Sequence, residues 1–257
     1  MPRMPEDLKT FDETMGKAGP LGMRRRWELT STRYLLGPAN FAGGLNQQLD
    51  PQLQRFSNLL EFNIVPKPGI GAPRKLEELT AVIATNGQYA VVNFAGALPR
   101  AGLYSQWISV TNDEKALETL VSPAFHPAQT VLVATNLPAA PAGTTSQSSG
   151  TVAFVSYSPK DLVLKADAKQ PAVLLLNDKY DPNWQVLVDG HPAPLLRCNF
   201  IMRGVSLTPG THTVEFHFRP PYRGLYVSLA GWRWAWDCAG SWRFIRAGST
   251  KGMQKVK

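Results

Sequence analysis

The sequence predicts an α+β N-terminal region followed by an all-β antiparallel sandwich. Three observations carry that expectation. The second half runs as short apolar segments at regular spacing: "TVAFVSYS", "DLVLKAD", "AVLLLND", "WQVLVDG", "APLLRCNFIMRGVSL" and "THTVEFHF". Glycine and proline occur 21 times each, enough to divide these segments with turns. The first half instead mixes helical and strand spacing. A chain of 257 residues, 44% hydrophobic and 18% charged, has the composition of folded protein and room for two cores. The expected layout is an α+β domain over 1–137, a Pro/Gly/Ser/Thr-rich linker over 138–150, the sandwich over 151–220, and a basic, tryptophan-rich tail over 221–257.

In chain order, "RRRWELTSTRYLLG" reads as a strand, with β-formers at Trp27, Thr30, Thr32 and Tyr34 and a stop at Gly37-Pro38. "DPQLQRFSNLLEF" places Leu53, Phe56, Leu59 and Leu60 at helical spacing, with Asp50 as N-cap and Pro51 as first helical residue. "YAVVNF" and "LYSQWISV" read as strands around Leu98-Pro99-Arg100. "TNDEKALETLVS" is a short helix capped by Asn112 or Thr111 and ended by Pro123, and "TVLVAT" is a further strand. In the second half, Asp189-Gly190 supplies the positive φ angles of a tight hairpin, and Pro209-Gly210 suits a type II turn.

The net charge of +8 is unevenly placed. From Arg219 to Lys257 there are eight Lys or Arg and one acid, whereas the remaining 218 residues carry 19 basic and 18 acidic groups. Four of the seven tryptophans, Trp232, Trp234, Trp236 and Trp242, lie in the same tail. Cations mixed with indoles suit a membrane–water interface, and no nucleic-acid-binding module is visible. The N-terminus lacks an apolar signal region, and the longest apolar stretch is broken by Arg233, Asp237 and Arg243. Cys198 and Cys238 read as two unpaired thiols.

Residues suited to chemistry are few. His212 shares strand parity with Val214, Phe216 and Phe218, whereas His217 shares it with Thr213 and Glu215, so the two rings cannot grip one metal ion. No hydrolase elbow, phosphate-binding loop or dinucleotide fingerprint is present, so no cofactor is expected. Asp178 and Asp181 flank the Tyr180 turn, where Asp is expected to bond the backbone. Trp184 either stacks on a sugar ring or closes the end of the sandwich. Arg197, Asn199 and Arg203 share one parity, which makes a polar row opposite Leu196, Cys198, Phe200 and Met202.

The stretch "LLLNDKYDPNWQVLVDGHPAPLLRCNFIMRGVSLTPGTHTVEFHFRPPYRGLYVS" resembles the C-terminal extracytoplasmic region of the YfhO family of bacterial membrane proteins. There a D-x-Y-x-P-G-W turn precedes a V-D-G hairpin and a second hairpin that ends in P. "ALPRAGLYSQWISVTNDEKALETLVSPAFHPAQTVLV" resembles the same family's LPRA segment, helix and strand, so the resemblance spans about residues 27–230. The matching positions are Asp178, Tyr180, Pro182, Trp184, Asp189, Gly190, Arg203, Gly204, Gly210, His212 and Pro220. Of these, Asp178, Tyr180, Trp184, Asp189, Arg203 and His212 are the candidate ligand or motif surface.

The resemblance implies a non-catalytic, extracytoplasmic portion of a membrane protein similar to GT-C-type glycosyltransferases, which act on lipid-linked sugars. The catalytic acids of that class lie in a membrane-embedded half that nothing here matches, so no catalytic residue carries over. The implied partners are the membrane, reached through residues 221–257 or through that other half, and a glycan or lipid-linked sugar. Two departures stand out. Asn183 takes the place of the family's glycine, and Asn tolerates left-handed backbone. The stretch after Leu229 carries charges where the family has a membrane helix, which leaves a fragment, an altered end or an interfacial segment as readings. The competing expectations are a free carbohydrate-binding module stacking on Trp184 and Tyr180, and a hydrolase using Asp178, Asp181, Asp189 or Glu215.

Overall fold

The computed structural model describes residues 4–138 and 149–220. The chain divides into two units, Met1–His217 and Phe218–Lys257, and the packing that follows belongs to the first. The expected tail over 221–257, including Cys238, lies outside the described residues, as does most of the expected linker.

Two helices open the chain, α1 (Glu6–Lys17) and α2 (Gly19–Leu29). Acids at Glu6 and Asp7 and a cation at Lys17 sit at the ends of α1 that the helix dipole favours. The strand expected from Arg24 onward is therefore helix as far as Leu29, and β1 (Tyr34–Pro38) begins only after it. The β-formers that suggested a strand straddle the helix end. Within α2, Arg24 and Arg25 instead pair with Glu28 at i,i+4 and i,i+3, a spacing only a helix brings together.

The helix expected from Asp50 is also absent. Asp50 follows the C-terminus of α3 (Phe41–Leu49), and the next element is a long strand, β2 (Phe56–Pro66). A register shift between Asn58 and Leu60 explains the misleading spacing. The bulge interrupts the two-residue alternation, so Phe56 enters the core while Leu60, four residues on, faces outward. With β3 (Leu79–Ile83) and β4 (Tyr89–Phe94) these strands make an antiparallel sheet ordered β1-β4-β2-β3. One face packs on α3 through Leu45, Leu49, Phe56, Val92 and Phe94. The other leaves Leu36 71% and Ile83 77% exposed.

The remaining strands form two further sheets. The six-stranded sheet is ordered β5-β10-β14-β13-β7-β6, from β5 (Ala101–Tyr104), β6 (Gln106–Ser109), β7 (Thr130–Val133), β10 (Ala172–Lys179), β13 (Leu196–Cys198) and β14 (Met202–Leu207). The five-stranded sheet is ordered β12-β11-β15-β9-β8, from β8 (Gly150–Tyr157), β9 (Asp161–Ala168), β11 (Trp184–Val188), β12 (His191–Ala193) and β15 (Gly210–Phe218). Their described pairings are antiparallel except β6 with β7, which the helix α4 (Asp113–Val121) connects in parallel. Asn112 caps that helix by accepting a hydrogen bond from the Lys115 N–H at 2.9 Å.

Strand β10 explains the layering. Leu174 and Leu176 meet Leu162, Leu164, Val214 and Phe216 of the five-stranded sheet. Val173 and Leu175 meet Phe11, Met15, Leu117 and Leu120 of the helices. A strand buried on both faces reads as an unbroken apolar run, which "AVLLLN" is. Helices, six-stranded sheet and five-stranded sheet are thus three layers. The six-stranded sheet also takes strands from both sides of the expected linker, so the regions drawn at 1–137 and 151–220 share one sheet.

Candidate functional site

The motif charges gather where the two sheets of the sandwich meet. Arg203, Val205 and Leu207 share parity on β14, and the last two enter the core between the sheets. Arg203 follows them inward and is only 3% exposed. Its Nη1 donates to the Lys179 carbonyl at 2.8 Å and its Nη2 to Asp178 Oδ2 at 3.1 Å. The guanidinium lies 3.9 Å from the centroid of the Trp184 ring and 5.7 Å from that of Phe216. Next to it, Gly204 has no room for a side chain: a Cβ there would stand 2.5 Å from the Leu174 carbonyl oxygen and 2.9 Å from Cys198 Sγ. Cys198 itself is a free thiol, buried, with its pKa pushed up by that burial.

Asp178 also joins two distant motif segments. Arg100, from the LPRA segment, donates to it through Nε and Nη2, both at 2.9 Å. Arg100 in turn lies over Tyr157 at 4.3 Å and Phe154 at 5.3 Å. One carboxylate thus serves two guanidiniums, whose surroundings differ. The hydrogen bond to Asp178 raises the pKa of the half-exposed Arg100. Burial pushes that of Arg203 down to about 10, against the attraction of Asp178, and at neutral pH it keeps its charge.

Asp189 and His212 form a separate pair. Asp189 (φ 53) and Gly190 (φ 78) both take positive φ in the turn between β11 and β12, as expected. His212 Nδ1 lies 2.7 Å from Asp189 Oδ2, and its Nε2 lies 2.9 Å from the Thr208 carbonyl oxygen. Both neighbours are acceptors, so only the doubly protonated ring satisfies both. The bond to Asp189 accordingly raises the His212 pKa. Asp189 Oδ1 also accepts from the Thr213 N–H at 2.8 Å, which fastens the hairpin to β15. His217 finds different carboxylates, Asp161 at 2.7 Å and Glu215 at 3.3 Å.

The other candidates are held by backbone. The Tyr180 N–H donates to the Ile201 carbonyl at 2.7 Å. Asp181 Oδ1 accepts from the Asn183 N–H at 2.8 Å, an Asx turn, and Asn183 does not take the left-handed backbone suggested by its place in the motif. The polar row expected through Arg197, Asn199 and Arg203 is broken by a turn. Asn199 (φ 43) and Phe200 (φ 70) reverse the chain, so that Arg197 pairs with Arg203 across a hairpin.

Residues 103–230 match the family model described as Bacterial membrane protein YfhO. The chain belongs to the YfhO family over that span. Comparison with curated proteins and with solved structures gives no match. The YfhO span holds Asp178, Tyr180, Trp184, Asp189, Arg203 and His212, and it begins just after Arg100. Among the described residues of this YfhO-family chain, no helix is long and apolar enough to cross a membrane.

A second charged cluster lies mostly before the YfhO span, and the sequence patterns did not point to it. Arg24, Arg25 and Glu28 project from α2, Asp50 follows α3, and Arg55 precedes β2. Asp50, fully buried, accepts from Arg55 Nε at 2.8 Å and from Arg24 Nη1 at 3.1 Å. Burial works to raise the Asp50 carboxyl pKa, and the arginines overcome it and hold the pKa below the ordinary value. Glu28 takes Arg55 Nη2 at 3.0 Å on one oxygen and Arg25 Nε at 3.1 Å on the other. These residues line a pocket of about 530 Å³ together with His126 and Gln129. The R-R-x-x-E spacing was a legible helix signal, but the pairing of Asp50 with Arg55 depends on the turn between them.

Proposed function

We propose that this chain is the non-catalytic, extracytoplasmic portion of a membrane glycosyltransferase-like protein acting on lipid-linked sugars in cell-envelope glycosylation. The observation that carries the reading is how the charges of the matched YfhO span are engaged. Asp178 holds Arg100 and Arg203, Asp189 holds His212, and Asp161 and Glu215 flank His217. These groups fasten strands and turns together, as befits a scaffold beside a catalytic half.

The exposed face of the N-terminal sheet supports a seat against an apolar partner. Leu36, half-buried Val91 and Leu60 line up across β1, β4 and β2, and Ile83 on β3 lies exposed beside the buried Phe62 of β2. Exposed apolar area of this kind marks protein or membrane contacts. The proposed partners are the membrane, through residues 221–257 or a membrane-embedded half, and a glycan or lipid-linked sugar. For the sugar, the exposed rings of Tyr157 and Phe154 beside Arg100 offer an amphipathic surface. A stacking platform on Trp184 is disfavoured, because Arg203 covers its ring and the indole packs on the sandwich core.

The test is side-specific labelling. Lys160, exposed in the turn between β8 and β9, is replaced by cysteine in a Cys238→Ser background. A membrane-impermeant maleimide added to intact bacteria should label Lys160→Cys. Labelling only after lysis would place the sandwich on the cytoplasmic side and reject the reading.

A further inference from the structure

The 530 Å³ pocket between α2, the α3–β2 turn and the loop after α4 has an unbalanced charge. Three guanidiniums, Arg24, Arg25 and Arg55, face two carboxylates, Glu28 and Asp50. Both carboxylates are already occupied. Asp50 Oδ2 takes Arg55 Nε and the Arg55 N–H, its Oδ1 takes Arg24 and Arg55, and Glu28 is bracketed by Arg25 and Arg55. One positive charge is left over.

The surplus centres on Arg25. It is 3% exposed, yet its Nη1 has no hydrogen-bond acceptor among the described residues, and neither does Arg24 Nε. Buried donors without an acceptor are strongly unfavourable, and both of these belong to side chains that line the open cavity. Phe125, which also lines the cavity, packs its ring against the Arg25 side chain, with its centroid 5.4 Å from the guanidinium. His126 and Gln129 complete the lining with groups suited to hydroxyls or a further oxyanion oxygen.

We propose that this pocket binds a phosphate group carried on a small organic ligand, with Arg25 as principal anchor and Arg24 and Arg55 as flanking cations. Planar guanidiniums that converge on one cavity match the several oxygens of a phosphate better than the two of a carboxylate. The volume exceeds what a phosphate alone fills and leaves space for a sugar-sized group. This assignment does not depend on the extracytoplasmic role proposed above. The phosphate could belong to a soluble ester or to a lipid headgroup.

The experiment titrates the full chain at low salt with inorganic phosphate, glucose 1-phosphate and acetate by calorimetry. In parallel, the chain is sedimented with phosphatidylcholine vesicles with and without phosphatidic acid. Both phosphates should bind at millimolar concentration or below. Acetate should bind at least about tenfold more weakly, since each charge-assisted hydrogen bond it cannot make is worth about that factor. Arg25→Gln should weaken phosphate binding about tenfold or more. Gln129→Glu, at an exposed position on the pocket wall, leaves the buried network intact and should weaken it severalfold, which covers the case of a misfolded Arg25 variant. Loss of phosphatidic acid binding in these variants would assign a lipid source, and its persistence a soluble one. No phosphate binding by the folded wild-type chain, acetate bound equally well, or variants that bind as the wild type does would overturn the proposal.

Discussion

Two arginine clusters in this molecule begin from the same imbalance and resolve it differently. At the mouth of the sandwich, Arg100 and Arg203 share Asp178; behind α2, Arg24, Arg25 and Arg55 share Glu28 and Asp50. Each is left with one surplus cation, and in each the central arginine is 3% exposed. Around Arg203 the surplus meets aromatic faces, Trp184 at 3.9 Å and Phe216 at 5.7 Å. Around Arg25 it meets one ring at 5.4 Å and an open cavity. A cation closed over by rings is framework, whereas one that borders a cavity is available to an anion.

The largest expected effect follows from removing the shared acid at the closed cluster. Asp178→Ala leaves Arg203 buried without its carboxylate and should destabilise the fold by about 3–5 kcal/mol, read as a lower urea midpoint. A loss under about 1 kcal/mol would mean the ion pair is incidental. Arg25→Gln should cost less, about 1–3 kcal/mol, because it removes the Arg25–Glu28 pair but leaves Glu28 held by Arg55, and the deleted Nη1 had no acceptor. Equal costs at the two sites would erase the distinction between them.

The smallest effect is a dependence on pH at the Asp189–His212 pair, a framework interaction outside both clusters. The His212 pKa is raised in the folded chain, so its contribution is fully present below the ordinary value of 6.5 and is lost as pH rises through the raised value. The pKa of Asp189 is lowered, so its contribution is present above 3.8 and is lost as pH falls through the lowered value. The stability difference between wild type and His212→Gln should therefore be widest between those limits and shrink on the alkaline side. A difference that grew toward alkaline pH would show that His212 is held as the neutral ring.

The contrast between the clusters also marks what the sequence made legible. β9, β10, β11 and β15 could be read because their burial follows simple patterns, alternating in β9 and continuous in β10. The Asp189-Gly190 turn could be read because positive φ restricts residue choice. The motif named Asp178, Trp184 and Arg203, which do meet, but it also grouped them with Asp189 and His212, which form a separate pair. The pocket was hidden by two local ambiguities. Trp27, Thr30 and Thr32 looked like a strand across the end of α2, and a bulge in β2 imitated helical spacing. With both elements misassigned, Arg25, Glu28, Asp50 and Arg55 could not be placed together, since their meeting depends on packing and not on spacing.

An NMR titration of the arginine side-chain N–H signals with inorganic phosphate separates the clusters in one experiment. The signals of Arg24, Arg25 and Arg55 should shift with a common saturating curve while those of Arg100 and Arg203 stay in place. Shifts at Arg100 and Arg203 with none at Arg25 would contradict the account, because the cluster closed by aromatic rings would then be the one that receives a ligand.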